Sequence, residues 1–225
     1  MKEFLYKDET YKKVSKVKQF ISVFFFPTVL LVIIWSVFLI EYYTSLTFWE
    51  YGLYPRKLSG LIGVIASPFI HGDLGHIVNN SFPLFVLVAL LRFFYKGFSY
   101  KVILWIVILS GIWAWVFARP SYHIGASGLI YGIASFIFFG GIIIKETKHI
   151  AISLLIVFLY GSIVWGIFPV DYTKSWECHF TGFFAGLVMA YYYKKELKEK
   201  FMKKDIYDFE DEEEYDYENW KSINT

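Results

Sequence analysis

Long apolar runs separated by short charged punctuation set the pattern of this chain. Phe20 to Ile40 carries no charge. His76 to Leu91 ends at Arg92, and Val102 to Phe117 lies between Lys101 and Arg119. Ser127 to Ile144 ends at Lys145; Ile150 to Phe168 follows; Trp176 to Tyr193 is closed by Lys194 and Lys195. A helix that crosses a bilayer needs about 20 mostly apolar residues. The pattern predicts an all-α fold, a polytopic bundle of six transmembrane helices over residues 20–193. A basic N-terminal arm (1–19) precedes it, and a basic-then-acidic tail (194–225), expected to be largely disordered, follows. The first run is too long for a signal h-region, and Glu41-Tyr42-Tyr43 offers no small-residue cleavage site, so it reads as a true span.

Composition sharpens this reading. Of 225 residues, 56% are hydrophobic, 22% aromatic and 19% charged. A soluble domain has about 45–50% apolar and about 25% charged residues, and no polar stretch here is long enough for a soluble catalytic domain. The one cysteine, Cys178, excludes an intramolecular disulfide and a Cys-based zinc site.

Charge orients the bundle. With six spans, only Arg56, Lys57, Arg119 and Lys174 of the 22 Lys and Arg fall on one side. The positive-inside rule then puts both termini in the cytoplasm. The basic flanks read as topology anchors that attract anionic lipid headgroups, not as a nucleic-acid surface. The acidic block Asp205 to Glu218 reads as a solvated tail. The outer loop, roughly 41–70, is aromatic and poor in charge, as suits the headgroup zone.

Polar residues inside spans are costly and point to function. Here they form three clusters. His71, His76, Asn79 and Asn80 stand at the entry to span two, Ser127 at the entry to span four, and His179 near the entry to span six. Spans two, four and six run in the same direction, so the clusters share a depth near the outer face. That agreement argues for a single site. Serine needs a base, and histidine is the usual one. Gly128 and Gly132 on span four, and Gly182 and Gly186 on span six, form small-residue stripes that let backbones approach in lipid. Tyr131, four residues after Ser127, is placed to stack on the imidazole. His76 and Asn80 share a helix face and offer donors for an oxyanion, beside the free N–H groups at the start of span four. Asn79 faces elsewhere and reads as helix-helix glue. His71 reads as a brace for the loop, His123 as a surface residue and Cys178 as inert.

These residues resemble the rhomboid family of intramembrane serine proteases. Residues 67–80 resemble the family's His-x4-His-x3-Asn signature, carried by His71, His76 and Asn80. Gly125-Ala126-Ser127-Gly128 with Tyr131 resembles the nucleophile motif, and His179 with Gly182 and Gly186 the histidine motif. The resemblance covers about residues 20–193 and is to the minimal six-span form. It implies a Ser127–His179 dyad without a third acid, supported by His76, Asn80, Gly125, Tyr131 and His71. It also implies a water-filled cavity open to the outside and cleavage of membrane-anchored proteins near small residues. The family's Trp-Arg pair in the first outer loop is missing, and Pro55-Arg56 stands nearby instead.

The function expected is therefore hydrolysis of peptide bonds in or near transmembrane segments through an acyl-enzyme. No metal or cofactor is expected. The expected partners are membrane-anchored substrates and the lipid bilayer, and the expected location is the cell membrane. Two other classes compete: a catalytically inactive relative that binds clients, and a transporter using His71, His76 and His179 as a relay. His-Glu-x-x-His and paired intramembrane aspartates are absent, which argues against metallo- and aspartyl proteases.

Overall fold

The computed structural model describes residues 2–170 and 174–201. Among these, seven α-helices occur: α1 Lys2–Tyr43, α2 Gly63–Ala66, α3 Leu74–Phe94, α4 Ser99–Phe117, α5 Ser127–Ile144, α6 Thr147–Tyr160 and α7 Trp176–Tyr192. Four stretches are long and apolar enough to cross a membrane: Phe20–Tyr43 within α1, and α3, α4 and α5. Each falls on a predicted run. At 14 residues α6 is shorter, as is α7 at 17.

α5 is the central helix, packed by α3, α4, α6 and α7. Its Ile133, Phe136 and Ile137 are fully buried. α1 joins through α3, where Trp35 Nε1 donates to Ser81 Oγ at 3.1 Å. At the far end of α3, buried Arg92 donates to the Ser22 carbonyl at 3.0 Å and to Ser99 Oγ at 3.1 Å, tying α1 and α4 together. α5 and α7 meet at backbone distance. A Cβ on Gly182 would overlap the Gly128 carbonyl oxygen, and one on Gly186 would overlap that of Gly132.

Several expectations are revised. The predicted fifth run, Ile150 to Phe168, is α-helical only to Tyr160 and continues as a 3-10 stretch, Gly161–Ile167. Gly161 and Gly166 weaken α-helix there, since glycine loses the most backbone freedom on ordering. α1 also runs through the basic stretch before the first span, whose membrane-crossing part is Phe20–Tyr43. Of the tail 194–225, only residues 194–201 are described, and they are helical. Leu197 is fully buried, and Phe201, one turn on, packs against the core. Such an i, i+4 pair presents one apolar face. The acidic block lies outside the described residues.

The outer loop is folded. It holds 3-10 turns at Trp49–Tyr51, Leu58–Ile62 and Ser67–Phe69 around α2. Arg56, at φ 59°, donates through Nη1 to the carbonyls of Val116 (3.1 Å) and Ala118 (2.8 Å). A cation there complements the negative end of α4. Arg56 thus anchors the loop in which the family's Trp-Arg pair is missing.

Candidate active site

The site lies where α3, α5 and α7 begin. Asp73 caps α3, its side chain accepting from the His76 N–H at 2.8 Å. This capping fixes the first turn, so His76 and Asn80 project from one face. Asn80 is buried and Asn79 exposed, so the two lie on different faces of α3, and Asn79 is not packed between helices of this chain. The Ala126 that precedes α5 gives no side-chain cap. The first N–H groups of α5 are therefore unpaired within the helix and carry its positive end. Ser127 stands among them, half-buried.

Gly125 connects these two helix starts. Its φ of +107° is a conformation side chains rarely adopt. A Cβ there would overlap His76 Nε2 and lie 3.4 Å from Asn80 Nδ2. Asn80 Nδ2 is buried without a hydrogen-bond partner. Two side-chain nitrogens, one each from His76 and Asn80, therefore face the residue two before Ser127. His71 is buried, its ring centroid 4.9 Å from that of His76. The Ala126 N–H points to His71 Nε2 at 3.5 Å. Burial lowers the His71 pKa to about 4, with the neighbouring His76 adding to the effect. His71 is thus neutral near pH 7 and braces the turn before the serine, a role beyond the outer loop alone.

The third element brings the base. His179 Nε2 lies 2.9 Å from Ser127 Oγ. Its Nδ1 lies 2.9 Å from the carbonyl oxygen of Gly166. Tyr131 stacks on the imidazole, ring centroids 4.2 Å apart and planes 6° apart. The glycine stripes make this approach possible, because any side chain at 182 or 186 would separate α7 from α5.

Other residues support the site in ways their types did not reveal. His123 is buried, not on the surface. It forms an antiparallel bridge with Leu53. Its Nε2–H donates to the Arg119 carbonyl at 3.1 Å, and its Nδ1 accepts from the Ser175 hydroxyl at 2.9 Å. Burial lowers its pKa. Glu177, also buried, pairs with Arg119 at 3.4 Å. These contacts bind the α4–α5 loop to the start of α7, two residues before the base. Cys178 lies against the Gly128 position, its carbonyl 3.1 Å from where a Cβ would be. Among the described residues, no three His, Cys, Asp or Glu side chains are grouped to hold a metal ion.

The arrangement provides a serine hydroxyl hydrogen-bonded to an imidazole, at an uncapped helix start faced by the side-chain nitrogens of His76 and Asn80. That is what nucleophilic attack on a carbonyl requires.

A family model described as the Rhomboid domain matches residues 58–196. An uncharacterized protein of Mycobacterium tuberculosis (strain ATCC 25618 / H37Rv) is 37% identical over 153 residues, 62% of this chain and 62% of its own. An uncharacterized protein of Mycobacterium leprae (strain TN) is 30% identical over 149 residues, 62% of this chain and 59% of its own. The match thus spans about three-fifths of the length of these curated relatives. With its long apolar helices, this integral, multi-pass membrane protein belongs to the rhomboid family.

Proposed function

We propose that the chain is an intramembrane serine protease that hydrolyses peptide bonds in or near the membrane segments of anchored proteins. The observation that carries this reading is the 2.9 Å contact between His179 Nε2 and Ser127 Oγ at the uncapped start of α5.

His179 takes the proton from Ser127 as Oγ attacks the scissile carbonyl. The tetrahedral oxyanion accepts hydrogen bonds from the first N–H groups of α5, from His76 and from Asn80. His179 then protonates the leaving amine, and an acyl-enzyme remains on Ser127. Water activated by His179 hydrolyses it and regenerates the serine. Charge develops on the carbonyl oxygen only in the transition state, so donors fixed by α3 and α5 favour that state over bound substrate.

A bundle of six spans is part of this reading. α6 rises about 21 Å at about 1.5 Å per residue, and the 3-10 stretch after it adds about 14 Å at about 2 Å per residue. Together they suffice for a hydrocarbon core of about 30 Å. Lys96, Lys101, Lys145, Lys148 and Lys194 lie at helix ends away from the serine. By the positive-inside rule that end, with both termini, is cytoplasmic, and the dyad opens to the outside of the cell membrane. A histidine relay for transport is disfavoured, since both ring nitrogens of His179 are engaged.

A fluorophosphonate probe tests the proposal. Labelling of the wild type, lost in Ser127→Ala, is the expected result. A folded wild type that neither labels nor cleaves any reporter with a transmembrane segment would leave the client-binding reading in its place.

A further inference from the structure

A dyad without a third acid needs something else to hold its base. A neutral imidazole has one N–H, and the partner of one nitrogen decides which of the two carries it. The partner of His179 Nδ1 is a main-chain carbonyl, that of Gly166, at 2.9 Å. A carbonyl only accepts, so Nδ1 bears the proton. The Nε2 lone pair is thereby directed at Ser127 Oγ, also at 2.9 Å. Among the described residues, no carboxylate hydrogen-bonds to this ring.

Gly166 is in the 3-10 stretch after α6, and its glycine identity has a specific cause. Its φ is not in the left-handed region, which Gly125 occupies. The constraint is spatial. A Cβ at 166 would overlap Tyr131 Oη and stand 3.2 Å from His179 Nδ1. Tyr131 in turn covers the face of the imidazole. The ring is therefore gripped twice, in its plane by the Gly166 carbonyl and on its face by Tyr131. The two grips touch each other, which leaves no room for a side chain.

We propose that the Gly166 carbonyl is the positioning group of the dyad, taking the orienting role that a carboxylate has in a Ser-His-Asp triad. Glycine at 166 is then required by Tyr131 and not by backbone conformation. This deepens the proposed function and rests on the Ser127–His179 dyad. The carbonyl is neutral, so it orients the ring and fixes the tautomer while giving less stabilisation to the imidazolium than a carboxylate would.

The test changes the carbonyl without changing a side chain. Replacing Ile167 by its α-hydroxy analogue turns the Gly166 carbonyl into an ester carbonyl, a weaker acceptor. Replacing Phe168 in the same way is the control. It removes one N–H from the same stretch, the donor to Trp165 O at 3.3 Å, and leaves Gly166 an amide. A neutral hydrogen bond of this kind is worth roughly tenfold at most. The ester at 167 should lower kcat by about that factor, with KM held, relative to the control. Nitrogen-15 spectra of labelled histidine should show His179 as the Nδ1–H tautomer in the wild type, shifting toward a mixture in the 167 ester. A side-chain route checks the spatial claim. Gly166→Ala should lose most turnover, and Gly166→Ala in a Tyr131→Phe background should recover part of it. Equal kcat and an unchanged tautomer for the 167 and 168 esters would overturn the role of Gly166. Loss of dyad chemistry itself would show separately, as probe labelling that survives Ser127→Ala.

Discussion

The bundle has a serine and a histidine together at each end, and only one pair is arranged for chemistry. At the start of α5, Ser127 is half-buried and its hydroxyl reaches His179. At the other end, Ser153 lies one turn after His149 on α6. Ser153 is buried, and its hydroxyl donates to main-chain carbonyls, Phe138 at 2.9 Å and His149 at 3.1 Å. The His149 ring pairs with Glu146 and lies among Tyr95 and Phe201, at centroid distances of 5.4 and 4.4 Å. The same residue types thus make a dyad in one place and a packing cluster in the other. The difference is whether the hydroxyl is directed to the imidazole or to the backbone. A hydroxyl bonded to a helix carbonyl is satisfied locally and has no base beside it.

The largest effect should come from exchanging the two pairs as mutational targets. Ser127→Ala and His179→Ala should each abolish cleavage of a membrane-anchored reporter, with the double variant no worse than either single, because the two act as a unit. Ser153→Ala and His149→Phe should keep cleavage per folded molecule while lowering thermal stability in detergent. Clear turnover by Ser127→Ala above an empty-vector control would break the comparison.

Next in size are the oxyanion donors. Losing one typically costs about 2.7–4 kcal/mol in the transition state, roughly a hundred- to a thousandfold in rate. His76→Ala and Asn80→Ala should each fall in that range. Exposed Asn79 should tolerate alanine, and equal damage from Asn79→Ala would put the functional face of α3 elsewhere.

Glycine substitutions sharpen the contrast further. Gly182→Val and Gly186→Val push α7 off α5 and should reduce activity about a hundredfold, since small misplacements of reacting groups cost that much. Gly141 is tight as well, because a Cβ there would overlap Ser153 Oγ and the His149 carbonyl. Gly141→Val should therefore cost stability, about 1–3 kcal/mol for overpacking, with turnover per folded molecule retained. Matched assays of rate and melting would separate the two ends; equal loss of turnover from both would not.

The smallest effect concerns pH. His71 is held at about 4, against an ordinary value of 6.5. Between these values the unfolded chain binds the proton and the folded chain does not. Stability should then fall as pH drops from about 6.5 toward about 4. His71→Gln should flatten that decline in melting temperature, and the buried His123 should preserve part of it. An identical slope in wild type and His71→Gln would show that burial of His71 does not govern it.

Much of this was legible in the chain. Apolar runs of spanning length located the helices, because a bilayer demands length and hydrophobicity that composition displays directly. The shared depth of His76, Ser127 and His179 predicted one site, and the period of α3 separated Asn80 from Asn79. Glycine stripes foretold the close packing of α5 and α7. Residue type and spacing carry this information because they encode which face avoids lipid and which helices can approach.

Other features were decided only by the path of the chain. Every residue has a carbonyl, so nothing in the sequence marks that of Gly166 as the partner of His179. His123 became buried because Leu53 forms a bridge with it across seventy residues. Arg56 found its acceptors at the end of α4, and residues 194–201 form a further helical stretch whose Phe201 packs against the rings of Tyr95 and His149. Residue pattern was enough to locate the long apolar helices and to single out Ser127 and His179 as a pair that the fold would bring together. Tertiary structure decided which backbone groups and distant loops hold those side chains, since such contacts depend on where segments meet and not on what each segment is made of.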